Sequence, residues 1–145
     1  MSYYKGVEGA RIMMLNKIIA DYVVSDQITE EDVEKLKDAG FKTIFCNRPD
    51  NEEQNQITVK SIQEKVIENG LNFIHQPVIG SQISQNDIDK FSDYYDAAEK
   101  PIFAYCRTGT RSSMLWALSE SGKRPIDEIL QLTSAAGYNL SNLFS

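Results

Sequence analysis

A cysteine, a glycine-bearing loop and an arginine, in that order, form the part of this sequence best equipped for chemistry. The segment reads Ala104-Tyr105-Cys106-Arg107-Thr108-Gly109-Thr110-Arg111-Ser112. Ile102, Phe103, Ala104 and Tyr105 predict a short buried strand, with a tight loop over 106–111 and a helix from near Arg111 to about residue 120. A thiol at the start of a helix faces backbone N–H groups that have no partner within the helix, and these favour negative charge. The Arg111 guanidinium adds a full positive charge, and the two together make the environment in which a cysteine acts as thiolate. The same N–H groups form a cradle for a tetrahedral oxyanion. Gly109 lets the backbone turn where a side chain would hinder it. Cys106 is therefore the expected nucleophile and Arg111 the charge clamp. Arg107, Thr108, Gly109, Thr110 and Ser112 line the anion site, with the Ser112 hydroxyl a candidate donor to the sulfur. A free cysteine is more often a buried, inert hydrophobe, but strand, glycine turn, arginine and helix start together outweigh that alternative.

The remaining candidates lie on other strand ends. Asn47-Arg48-Pro49-Asp50 follows a predicted strand, making Arg48 a candidate substrate contact and Asp50 a candidate catalytic carboxylate. The alternative for both is an ion pair or turn chemistry beside a proline. His75, the single histidine, is expected to be a satisfied strand residue rather than a base. Cys46 ends one strand as Cys106 ends another. A reversible disulfide between them is conceivable, and a buried hydrophobe is the favoured reading of Cys46.

These residues need a scaffold, and the hydrophobic pattern supplies one. Strands are predicted at 18–24, 41–46, 71–75 and 102–105. Helices are predicted over 29–39, 58–69, 84–99, 111–120 and 125–136. Thr29/Asp32 and Ser84/Asp87 have capping-box spacing, while Gly40, Gly70 and Gly137 stand where helices stop. Residues 1–16 carry no clear periodicity and are expected to be a flexible lead-in to one α/β domain over 17–145. Strands separated by helices cross over in the right-handed sense, giving a mostly parallel central sheet flanked by helices. Ligands of such sheets bind beyond the carboxyl ends of the strands. Residues 47–50, 77–81 and 106–111 are thereby predicted to gather at one rim.

Composition narrows the partners. The 145 residues carry a net charge of −6, which argues against nucleic acid or an anionic membrane as a bulk partner. Two cysteines and one histidine suggest neither a disulfide framework nor a metal site, and no cofactor is expected. No run approaches the roughly 18 apolar residues of a membrane span. The expected setting is a reducing cytoplasm. The expected partner is a small or protein-borne oxyanion, and the oligomeric state is left open.

Residues 47–50 and 104–112 together resemble a bacterial family of phosphatase-like domains that occur alone or fused to beta-lactamase-like persulfide dioxygenases. The resemblance covers roughly residues 18–122 and implies a protein-tyrosine-phosphatase-like fold of the dual-specificity kind, with Cys106 as nucleophile and Arg111 as anion clamp. Three positions depart from the usual cysteine-phosphatase pattern. Four residues rather than five separate Cys106 from Arg111, Tyr105 stands where a histidine is usual, and Gly80 occupies the place expected of an aspartic acid. The shorter loop is similar to that of rhodanese sulfurtransferases. It suits a persulfide sulfur, and sulfur transfer needs no leaving-group acid. The sequence reading therefore places persulfide transfer through Cys106 ahead of phosphomonoester hydrolysis. A non-catalytic oxyanion- or phosphoprotein-binding module comes third.

Overall fold

The computed structural model describes residues 2–5 and 12–144. Six strands, β1 (Ser2–Lys5), β2 (Ile12–Ile19), β3 (Tyr22–Ser25), β4 (Thr43–Cys46), β5 (Asn72–His75) and β6 (Ile102–Tyr105), form one sheet in the order β1-β2-β3-β6-β4-β5. The four strands β3, β6, β4 and β5 run parallel, while β1 and β2 add antiparallel on the β3 side. Five helices complete the domain: α1 (Glu30–Asp38), α2 (Val59–Glu68), α3 (Gln85–Ala97), α4 (Thr110–Glu120) and α5 (Ile126–Ala135).

Strict alternation along the strands divides the core between two faces. Val24, Phe45, Ile102 and Ala104 point to one side, where Phe91, Leu115, Trp116 and Ile129 of α3, α4 and α5 cover them. Val23, Ile44, Cys46, Phe103 and Tyr105 point to the other, under Val33, Leu36, Ile62 and Val66 of α1 and α2. Both predicted capping boxes begin helices. The Asp32 carboxylate accepts the Thr29 N–H at 2.8 Å, and Ser84 and Asp87 exchange bonds of 3.0 and 3.1 Å.

Two expectations need correction. The predicted strand at 18–24 is two antiparallel strands joined at Ala20 and Asp21, with Ile19 opposite Tyr22. The expected lead-in of residues 1–16 contains β1 and most of β2, paired with Ser2 opposite Leu15 and Lys5 opposite Ile12. Residues 6–11, also in that lead-in, lie outside the described residues. No helix among the described residues is long and apolar enough to cross a membrane.

Candidate active site

The loop from β6 to α4 is built as the sequence implies. Cys106 is buried and is a free thiol, and its Sγ accepts the Gly109 N–H at 3.0 Å. Gly109 caps α4 with φ of 94°, a left-handed conformation that favours glycine. Ser113 Oγ donates to the Gly109 carbonyl at 2.8 Å, closing the first turn. Arg111 points back from that turn. Its Nη1 donates to Glu52 Oε2 at 2.8 Å and to the Val78 carbonyl at 3.0 Å, and its Nη2 donates to Glu52 Oε1 at 2.8 Å. A guanidinium has five N–H groups, so these bonds leave two for the cradle. The hydrogen bond to Glu52 is the main influence holding Arg111 above its ordinary pKa, and Cys106 adds to it by charge and by hydrogen bond. The same Arg111 bond holds the Glu52 carboxyl below its usual range, against a smaller opposing effect of burial.

Glu52 is the carboxylate that the sequence reading missed. Nothing in the sequence pattern singles it out, and its partner is 59 positions away. Asp50, the predicted catalytic carboxylate, instead uses Oδ1 to accept the Val59 N–H at 2.8 Å, fixing the start of α2. Arg48, the predicted substrate contact, is fully buried. It donates to Glu52 and Gln56 at 2.9 Å, Gln27 at 2.8 Å and Glu53 at 3.3 Å. That network satisfies it within the protein, so Arg48 braces the rim and has little left for a ligand. Ser112 also differs from expectation. Its hydroxyl donates to Asn47 Oδ1 at 2.8 Å rather than to the sulfur, and Asn47 Nδ2 donates to the Gln76 carbonyl at 3.1 Å. Asn47 thus ties α4 to the ends of β4 and β5.

Arg107 is largely exposed and lies 3.5 Å from Glu53. The Thr108 and Thr110 hydroxyls meet at 3.0 Å on the exposed side of the loop. His75 Nε2 bonds the Arg48 carbonyl at 2.9 Å, in keeping with a satisfied strand residue. Cys46 donates to that same carbonyl at 3.4 Å, and burial pushes its thiol pKa up. Tyr105, in the place of the usual histidine, lies opposite Cys46 in the β4–β6 register, and both pack into the core on the α1/α2 face. Gly80 sits beside the Arg111 stem, where a Cβ would lie 3.5 Å from Cγ, an ordinary contact.

One support comes from the far end of the chain. The Tyr138 hydroxyl donates to the Thr108 carbonyl at 3.1 Å and accepts from Asn16 Nδ2 at 2.8 Å. Among the described residues no cluster of His, Cys, Asp or Glu could hold a metal ion.

A thiol at the carboxyl end of a central parallel strand, an N–H cradle and an arginine on the following helix define an α/β domain of the cysteine-phosphatase type. The chain belongs to the family described as beta-lactamase hydrolase-like protein, phosphatase-like domain, whose model matches residues 14–123. A beta-lactamase hydrolase-like protein of Xylella fastidiosa is 33% identical over 132 residues, covering 90% of this chain but only 30% of the relative. The chain thus spans under a third of the length of the curated relatives it matches. Among solved structures, a candidate phosphatase of Neisseria meningitidis is 41% identical, covers 87% of this chain and 90% of its own, and superposes with a TM-score of 0.80. The catalytic core of a PP-IP phosphatase from S. cerevisiae shares the fold alone, at 15% identity over 85% of this chain and 75% of its own, with a TM-score of 0.62. The family and the Neisseria structure lend weight to the phosphatase reading, which the sequence had placed second, and neither supports the sulfurtransferase reading.

Proposed function

We propose that the protein hydrolyses phosphomonoesters through a covalent intermediate on Cys106. The observation that carries this reading is the 3.0 Å bond from the Gly109 N–H to Cys106 Sγ at the start of α4. It sets the sulfur against a backbone donor at the start of α4, the end of a helix that favours negative charge. The thiolate attacks phosphorus, the P–O bond to the leaving group breaks, and the departing oxygen takes a proton from water or a rim acid. Water then attacks the thiophosphate, releasing phosphate and regenerating the thiolate. Arg111, anchored by Glu52 and the Val78 carbonyl, turns its two remaining N–H groups toward the equatorial oxygens, where charge develops.

Gly80, standing where an acid would be expected, shapes the substrate preference. General acid help is typically worth about 10²–10⁴-fold, so aryl phosphates, whose leaving groups need no proton, turn over far faster than alkyl esters. Asp50 is not given the acid's role, because its carboxylate is engaged at the start of α2.

A paired assay tests the reading, following phosphate release from an aryl phosphate and thiocyanate release from thiosulfate and cyanide, each on native protein and Cys106→Ser. The expected result is phosphate release that depends on Cys106. Thiocyanate release that depends on Cys106, without phosphatase activity, would overturn the proposal and restore sulfur transfer.

A further inference from the structure

The cradle's donor to Cys106 is the N–H of the peptide joining Thr108 to Gly109. The carbonyl of that same peptide accepts the Tyr138 hydroxyl at 3.1 Å. A peptide unit is planar and trans, so its C=O and N–H point in opposite directions, and a grip on the oxygen fixes where the hydrogen aims. We propose that Tyr138, held in turn by Asn16, is a positioning residue that orients this N–H onto the Cys106 sulfur and so keeps the nucleophile ready. The inference rests on Cys106 being the reacting atom, but not on which group it attacks.

Three observations and one general principle converge on it. The Tyr138 hydroxyl lies so close over Gly109 that a Cβ at 109 would run into it, so the ring also closes off the far side of the loop. Asn16, 1% exposed, donates to the same hydroxyl at 2.8 Å, leaving the tyrosine proton free for the Thr108 carbonyl. A hydrogen bond at the carbonyl also polarises its N–H, since linked hydrogen bonds strengthen one another. Finally, the backbone that delivers Tyr138 is itself fixed. The Gly137 N–H bonds Ser134 and the Tyr138 N–H bonds Thr133, at 3.0 and 2.9 Å. Gly137 has φ of 104°, so α5 ends in a Schellman motif that turns the next side chain back toward the loop.

The charged and titratable groups around the sulfur are Arg111 of α4, Tyr22 of β3, Cys46 of β4 and Tyr138 itself, with Asp26 acting on Tyr138. Tyr138→Phe keeps the ring and leaves the others in place, so it isolates the grip on the peptide. The measurement is the rate of Cys106 alkylation by iodoacetamide at about pH 6.5 and about pH 9.5, which straddle the ordinary thiol range. Cys106→Ser supplies the background, and the ratio of the two rates cancels differences in access to a buried sulfur. Losing one hydrogen bond from this chain should lower the ratio about three- to tenfold in Tyr138→Phe. Asn16→Leu should lower it by less. A folded Tyr138→Phe that melts earlier yet keeps the native ratio would overturn the proposal, leaving Tyr138 a packing residue only. Should Tyr138→Phe fail to fold, the same ratio in Asn16→Leu decides. The assay needs no substrate, so the paired phosphatase assay can fail while this inference stands.

Discussion

β4 and β6 lie side by side in register, and each delivers a buried cysteine, then an arginine, beyond its carboxyl end. The outcomes are opposite. After β4, Cys46 donates its proton to a carbonyl, and Arg48 disappears into four side-chain partners. After β6, the Cys106 sulfur accepts a hydrogen bond from the backbone, and two Arg111 N–H groups are left untaken by Glu52 and Val78. The difference lies in the route the chain takes after each strand. Beyond Cys106 the chain enters a helix within four residues, and the N–H of its cap Gly109 bonds the sulfur; beyond Cys46 the next helix begins only at Val59. Glu52 touches both arginines and holds the two strand ends together. The difference in bonding is a property of the loop, not of the residue types.

The sharpest way to break the comparison is to exchange the thiols for hydroxyls. Cys106→Ser should lower ester hydrolysis by at least about 10³-fold, whereas Cys46→Ser should leave turnover within about threefold and cost stability by about 1–2 kcal/mol. Steady-state kinetics and thermal melts on the same samples read both. The arginines should divide likewise. Arg111→Ala is expected to lose about 10²–10³-fold in kcat/KM. Arg48→Met should be felt chiefly as a loss of about 2–3 kcal/mol in denaturant unfolding, less than a fully buried pair would cost because its carboxylates keep some water.

Gly80→Asp sharpens the contrast from the substrate side. A Cβ fits beside the Arg111 stem, so the new carboxyl should raise alkyl phosphate hydrolysis by about tenfold or more while changing aryl phosphate hydrolysis little. Equal gains on both substrates would remove the missing acid as the explanation. The smallest expected effect concerns Glu52. Its carboxyl is held below the usual range chiefly by the Arg111 hydrogen bond. Its contribution to stability is therefore present above the unfolded value of about 4.3 and is lost as pH falls through the lower folded value. The stability gap between the native protein and Glu52→Gln should be constant near neutrality and close only below about pH 4, as urea unfolding at a series of pH values would show.

How much of this could be read from the sequence obeys the same division between local and distant. The strand–loop–helix around Cys106 and Arg111 is written in consecutive residues, as are the helices with their capping boxes and stop glycines. The β2–β3 turn escaped because Ala20-Asp21 offers no glycine, proline or asparagine to break a run of β-branched residues. Three partners escaped for a different reason. Glu52 meets Arg111 across 59 positions, Asn47 meets Ser112 across 65, and Tyr138 meets Thr108 across 30. No spacing rule links such pairs, because topology alone brings them together. Arg48 and Asp50 were placed correctly on the rim, but their burial and their bonding could not be read from their types.

The strut from Asn16 to Tyr138 closes a loop of 122 positions, and the family model ends at residue 123, short of the tyrosine. A chain trimmed to the family boundary would retain every residue of the recognisable motif and lose the tyrosine proposed to orient its peptide. Contacts of such wide separation are also costly for a folding chain to close early. The proposed positioning of the Cys106 loop thus depends on a residue pair that brackets nearly the whole domain, one partner near each end of the chain.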